Sequence, residues 1–230
     1  MRHRDKNSWR PSLIVCARRS FIRLFVHSFV RSFVSWSPYI ANPLLTLPYP
    51  SPLAPADRPK GVVHSHGSLA AQVHSLSKAW RLSERDRILH CLPLHHIHGV
   101  VNALLLPLYV GGSVAALPHF SVRGVFDALC NHRSTVFMGV PTMYSYLIKH
   151  VAKLDSKVER MVAIEAIRSQ ALWICGSSAL PLPLAQQWKA LSGSYPLERY
   201  GMTETGMILG TCCCTLCTSS LVVLACRWKR

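Results

Sequence analysis

Thr135-Val-Phe-Met-Gly-Val-Pro-Thr-Met-Tyr-Ser-Tyr-Leu-Ile-Lys-His-Val-Ala-Lys153 holds one full unit of the pattern from which the middle of this chain is built. Thr135–Gly139 is short, apolar and rich in strand-forming residues. Two residues later Pro141 stands where proline opens a helix, because the first helical N–H has no intrahelical partner to lose. Thr142–Lys153 then follows with helical character. A strand passing into a helix over so short a connection is a βα unit.

The alternation spreads outward from there. Upstream, Gly61–His64, Arg87–Leu92 and Ser113–Leu117 read as strands. Gly67–Trp80, Val100–Tyr109 (stopped by Gly111 and Gly112) and Val122–His132 read as helices. Downstream, Val158–Arg168 and Leu182–Leu191 are helical, with Ala171–Cys175 and Pro196–Tyr200 as strands. Repeated βα order with apolar strands predicts an α/β fold, a mostly parallel sheet with helices on both faces.

Composition sets the bounds. Half of the 230 residues are hydrophobic and 16% are charged, which excludes a wholly disordered chain. The net charge of +16 would suit nucleic acid or an anionic surface, but it is unevenly spread. Residues 1–57 carry +6, 58–210 carry +7 and 211–230 carry +3, so 77 terminal residues hold more than half of it. The basic residues are not interleaved with stacking aromatics, and nucleic acid is not expected as a partner. Five of nine cysteines crowd into Cys212–Cys226, without the regular spacing of a disulfide framework.

The two ends differ from the middle. From Met1 to about Phe33 the chain is Arg- and Ser-rich with Asp5 its single acid, the character of a mitochondrial presequence. Pro38–Pro59 has seven prolines and no glycine, which excludes a helix or a central strand. At the other end Thr205–Cys226 carries no charge and is followed by Arg227, Lys229 and Arg230. That run has the length of a membrane span, yet is richer in Cys, Thr and Ser than in Leu and Ile. Three segments are therefore expected: a basic, Pro-rich extension (1–57), a folded portion (58–210) and a Cys-rich apolar tail (211–230).

Three patches in the folded portion carry chemistry: Arg58-Pro-Lys-Gly-Val-Val-His-Ser-His66, Leu92-Pro-Leu-His-His-Ile-His-Gly99, and Glu198-Arg-Tyr-Gly-Met-Thr-Glu-Thr-Gly206, the last preceded by Cys175-Gly-Ser-Ser-Ala-Leu-Pro181. The histidines (His64, His66, His95, His96, His98) lack the Cys or carboxylate partners and the spacing of a zinc site. Gly176-Ser-Ser lacks the Gly-x-Ser-x-Gly elbow of hydrolases.

In order and type these patches resemble the adenylate-forming (AMP-binding) superfamily, and within it the acyl-CoA synthetases. The phrases "LPLHHIHGVVNALL" and "LERYGMTE" look most like the mitochondrial malonyl-CoA synthetase branch. The resemblance implies a central part of the large N-terminal domain of such an enzyme. It implies activation of a fatty acid or a malonate-type acid by ATP with Mg2+, then transfer to CoA. Cytoplasmic placement is the alternative to the mitochondrion, and membrane association is not expected.

By the same resemblance Lys60 would meet the β/γ-phosphates. Thr203 would meet the α-phosphate, and Glu204 would hold Mg2+ as a hard oxygen ligand. Gly176, Ser177 and Ser178 would lie against adenine, with Tyr200 and Gly201 on the other side of the slot. His96 would line the acyl side.

The sequence also departs from the family. Members read Thr-Ser-Gly-Thr-Thr-Gly before Arg-Pro-Lys-Gly; this chain reads Ser51-Pro-Leu-Ala-Pro-Ala-Asp57. A phosphate cradle works through free N–H groups in a glycine loop, so triphosphate binding is expected to be impaired. The match ends near Gly210, short of the family's ribose-binding Asp, hinge and small C-terminal domain with its lysine. Ala171 replaces the arginine that malonate-using members carry before the Gly-Ser turn, leaving Arg168 or Arg199 as the available cation. A catalytically impaired portion of a synthetase is the leading expectation. The alternatives are a non-catalytic, membrane-associated binding protein that reuses the fold, or a genuine core flanked by translated non-coding sequence.

Overall fold

A computed structural model of the chain describes residues 13–16, 44–49, 60–211 and 221–223. The expected presequence, apart from 13–16, lies outside these residues, as does the Ser51–Asp57 replacement of the glycine loop.

The elements follow in chain order. Strand β1 (Leu13–Cys16) and β2 (Leu44–Tyr49) precede β3 (Lys60–Ser65). Ser65 closes β3 and accepts the Ser68 N–H at 3.0 Å, capping helix α1 (His66–Ala79). After β4 (Arg87–His90) the backbone winds as a π-helix over His98–Leu105 and tightens to α over Leu106–Tyr109; the two form α2. Then come β5 (Ser113–Ala116), α3 (Val122–His132), β6 (Val136–Gly139) and α4 (Pro141–Lys153). The chain continues through α5 (Lys157–Arg168), β7 (Leu172–Cys175), α6 (Leu182–Ser192), β8 (Leu197–Met202), β9 (Gly206–Thr211) and β10 (Leu221–Val223). Ser121 and Ser156 cap α3 and α5 as Ser65 caps α1.

The main sheet has the order β1-β5-β4-β6-β7-β8-β9-β10. From β5 to β8 neighbours run parallel; β1, β9 and β10 join antiparallel. The α/β architecture expected from the sequence is therefore present, with antiparallel edges added. The β2–β3 ribbon is separate, and Pro48 sits within it on a strand that needs no second partner. Among the described residues no helix is long and apolar enough to cross a membrane. The described parts of the uncharged run Thr205–Cys226 include strands β9 and β10, not the single helix of an anchor.

Alternation along the strands divides the core. Phe137 and Trp173 face α3, α4, α5 and α6, with Tyr144, Leu147, Ile167 and Trp188. Val136, Met138 and Ile174 face the opposite way, onto α1 and α2. Helices thus cover both faces. A T-shaped group forms the centre of the first layer: Trp188 meets Trp173 at 4.6 Å and Tyr144 at 4.8 Å between ring centroids.

One element differs in kind from its expectation. The Val100–Tyr109 segment starts earlier, at His98, and its first eight residues are π-wound, so that the Leu106 N–H reaches the Val101 carbonyl. Pro107 then falls in the first turn of the α-helical part, where a missing N–H is tolerated. Apolar periodicity cannot distinguish the two windings. Such π segments concentrate at functional sites.

Candidate functional site

Strand order locates the site. The chain passes from β4 to β5 on one side, then returns to place β6 on the other side of β4. Between β4 and β6 the direction of winding reverses. At such a switch point the loops leaving the carboxyl ends of neighbouring strands diverge and open a crevice.

A cavity of about 410 Å3 lies there. The segment after β4 supplies Leu92, Pro93, His96, Ile97 and His98. The β6–α4 connection supplies Val140 and Met143, and the turn after β7 supplies Ser177. The end of β8 and its turn into β9 supply Arg199, Gly201, Met202, Thr203 and Glu204. Residues from the second and third chemical patches of the sequence thus meet on one wall, while the first patch, Arg58–His66, supplies none of the described lining.

Of the residues expected to act, His96, Ser177, Gly201, Thr203 and Glu204 line this cavity. Gly176, Ser178 and Tyr200 do not. Gly176 is buried behind it, and a Cβ there would overlap the Arg199 guanidinium, so glycine is required for the arginine to lie flat. Ser178 and Tyr200 are exposed beside it. Lys60 begins β3 opposite Tyr49; its side chain is outside the description.

The polar centre of the cavity is a relay of three side chains. Arg199 is 6% exposed, and one of its terminal nitrogens donates to Ser177 Oγ at 3.0 Å. Ser177 Oγ lies 3.5 Å from His98 Nδ1. Burial holds His98 well below the ordinary histidine range, and the neighbouring Arg199 charge adds to this. His98 Nδ1 faces the hydroxyl, and among the described residues its Nε2 is buried without a partner. Burial also lowers Arg199 to about 10, still charged at neutral pH. Among the described residues its Nε has no hydrogen-bond partner. Ser177 has φ of 69°, a left-handed conformation that costs a non-glycine residue of order 1 kcal/mol or more and is retained chiefly at functional sites. Burial, then the His95 charge, lowers His96.

Arg168, the other cation considered for a second carboxylate, is exposed and donates to the Leu191 carbonyl at 3.2 Å, away from the cavity. Arg199 is on its wall. The pairing of His98 with Ser177 was not legible in the sequence, where 79 positions separate them.

Among the described residues no group of three or more His, Cys, Asp or Glu side chains is placed to hold a metal alone. Magnesium needs less: one or two carboxylates, completed by water and phosphate oxygens. Glu204 is the single carboxylate on the cavity wall and fits that requirement.

The sheet order, with a switch-point cavity lined by Ser177 on one side and Gly201-Met-Thr-Glu204 on the other, is that of the large domain of the adenylate-forming enzymes. The chain belongs to the AMP-binding enzyme family, which matches residues 58–224. It is 44% identical over 160 residues to the mitochondrial malonate–CoA ligase of Homo sapiens, covering 66% of this chain and 27% of that protein. ATP-bound MatB from Rhodopseudomonas palustris superposes with a TM-score of 0.61 at 33% identity, over 74% of this chain and 30% of that one. A malonyl-CoA ligase with methylmalonyl-CoA and AMP bound gives a TM-score of 0.63 at 32% identity, over 74% and 34%. The chain spans about a quarter of the length of the curated relatives it matches.

Proposed function

We propose that this chain supplies the nucleotide and acid half of a site that activates a short dicarboxylic acid of the malonate type. The overall reaction is attack of a carboxylate on the α-phosphorus of ATP, release of pyrophosphate, and transfer of the acyl group from the adenylate to the thiol of CoA. In this reading Thr203 donates its hydroxyl to the α-phosphate and Glu204 holds magnesium. Gly176, Ser177, Ser178, Tyr200 and Gly201 border the adenine, and Lys60 approaches the β/γ-phosphates. His96 lines the acyl side. The observation that carries the proposal is the convergence of Ser177, Arg199, Thr203 and Glu204 on one switch-point cavity.

Arg199 favours a dicarboxylate over a fatty acid. It is a buried cation on the wall, hydrogen-bonded among the described residues to a neutral hydroxyl alone, and a distal carboxylate would complete its fork. The malonate named in the relatives' activity agrees with this chemistry. The absence of glycine from Ser51–Asp57 supports weak triphosphate binding. The Arg-rich, acid-poor start and the mitochondrial relatives support a mitochondrial setting.

The test is calorimetric titration of the purified chain and of Arg199→Met with AMP, then with malonate or butyrate on the AMP complex. AMP is expected to bind both proteins alike, with ATP·Mg no tighter than AMP. Malonate binding is expected to weaken about tenfold or more in Arg199→Met, the scale of a lost charged hydrogen bond, with butyrate unchanged. Absence of AMP binding overturns the nucleotide reading. Equal loss of malonate and butyrate overturns the role of Arg199.

A further inference from the structure

The turn that carries Thr203 and Glu204 joins β8 to β9 near the end of the main sheet, with antiparallel pairing on one side. On its other side lies α1, from the segment that follows the separate β2–β3 ribbon. One side chain from β3 and one from α1 hold the turn and the start of β9. His64 Nε2, buried, donates to the Thr203 carbonyl at 2.6 Å. Gln72 makes a two-point contact with Met207, the second residue of β9: its Oε1 accepts the Met207 N–H at 2.8 Å, and its Nε2 donates to the Met207 carbonyl at 3.3 Å. Gln72 is 8% exposed, so water does not compete for these bonds.

A primary amide facing one residue's N–H and C=O imitates a neighbouring strand. Met207 thereby receives partners on both sides, Gly201 of β8 on one and Gln72 on the other. Gly206 explains how the side chain comes so close. Its φ is 68°, and a Cβ there would overlap Gln72 Oε1. The clamp and the glycine require each other.

We infer that Gln72 is a positioning residue, and that its amide fixes the Thr203–Glu204 turn at the height where a nucleotide phosphate meets it. His64 anchors the front of the same turn. The inference rests on the proposed nucleotide reading for its functional consequence, and on hydrogen-bond geometry alone for its mechanical part. Gln72 itself does not line the cavity. It acts through Met207 and the turn.

Gln72→Met keeps the length of the side chain without its hydrogen bonds. Gln72→Asn keeps the amide but draws it back by one methylene, and serves where the methionine variant folds poorly. Two measurements on the 230-residue chain decide the matter. Amide hydrogen exchange is expected to accelerate about tenfold or more at Thr203–Met207 in both variants, with β4, β6 and β7 unchanged, as for a local opening. AMP affinity is expected to fall about tenfold, the size of one lost buried hydrogen bond, while adenosine, which lacks the phosphate, binds as before. Unchanged exchange at the turn overturns the clamp. Equal weakening of AMP and adenosine shows a merely structural residue and overturns the positioning role. If the parent chain binds neither ligand, the nucleotide reading fails separately, and exchange alone still decides whether the clamp exists.

Discussion

His90 shows how a single buried side chain sets the acid limit of this fold. Its Nδ1 accepts the Leu92 N–H at 3.2 Å, which demands an unprotonated nitrogen, and burial lowers the group to about 4. Between pH 6.5 and about 4 the unfolded chain takes up a proton that the folded chain refuses. Stability conferred by the neutral ring is therefore complete above 6.5 and is lost as pH falls toward 4. The loss from His90 alone is roughly 3 kcal/mol, from a displacement of about 2.5 pKa units. His98, also held neutral, adds in the same direction. Thermal melts from pH 7 to 4 are expected to show a falling midpoint. His90→Asn, whose side-chain oxygen can replace Nδ1 as acceptor, is expected to flatten that fall; an unchanged slope would remove His90 from the account. At this scale the sequence was informative about identity and silent about partners. Thr203, Glu204, Ser177 and His96, picked out by a fixed local order of residue types, do line the cavity. Gln72 was not picked out, because its partner lies 135 positions away and no local pattern marks it.

Elements are held chiefly by the aromatic layer under α4, α5 and α6. Trp188 on α6 is fully buried against Trp173 and Tyr144, while its indole N–H has no partner among the described residues. Its contribution therefore comes from packing and not from hydrogen bonding. Trp188→Ala is expected to destabilise the chain by about 3–5 kcal/mol, as large-to-small core changes do. Trp188→Phe is expected to cost less, because it keeps one ring in the pocket and removes only the pyrrole half with its unsatisfied donor. Urea denaturation of both variants checks this; comparable losses would mean that packing of the retained ring is not what holds the layer. Most helices and strands were legible from periodicity, and the start of α4 from Pro141; the caps Ser65, Ser121 and Ser156 came only with the structure. The π-winding of His98–Leu105 was not, since hydrophobic spacing over eight residues suits either helix. Strand β9 was hidden for another reason: Gly206–Thr211 lies inside an uncharged run whose length matched a membrane span, so that no strand was read there.

At the scale of the whole molecule, the βα alternation made the parallel sheet legible, but not its order. The reversal between β4 and β6 is what brings Leu92, Val140, Ser177 and Thr203 to one place, and no local signal records it. That reversal has a kinetic side. The walls of the cavity come from residues 92 to 204, so none of it exists until distant strands have paired. Closing such long loops costs entropy before any contact compensates for it, which makes these structures slow to form. The cavity is then expected to form late in folding, after the transition state. A nucleotide present during refolding should leave the refolding rate unchanged and slow only unfolding, because it has nothing to hold until the last strands are in register. Stopped-flow refolding and unfolding with and without AMP would show this; an accelerated folding limb would place the cavity in the nucleus instead.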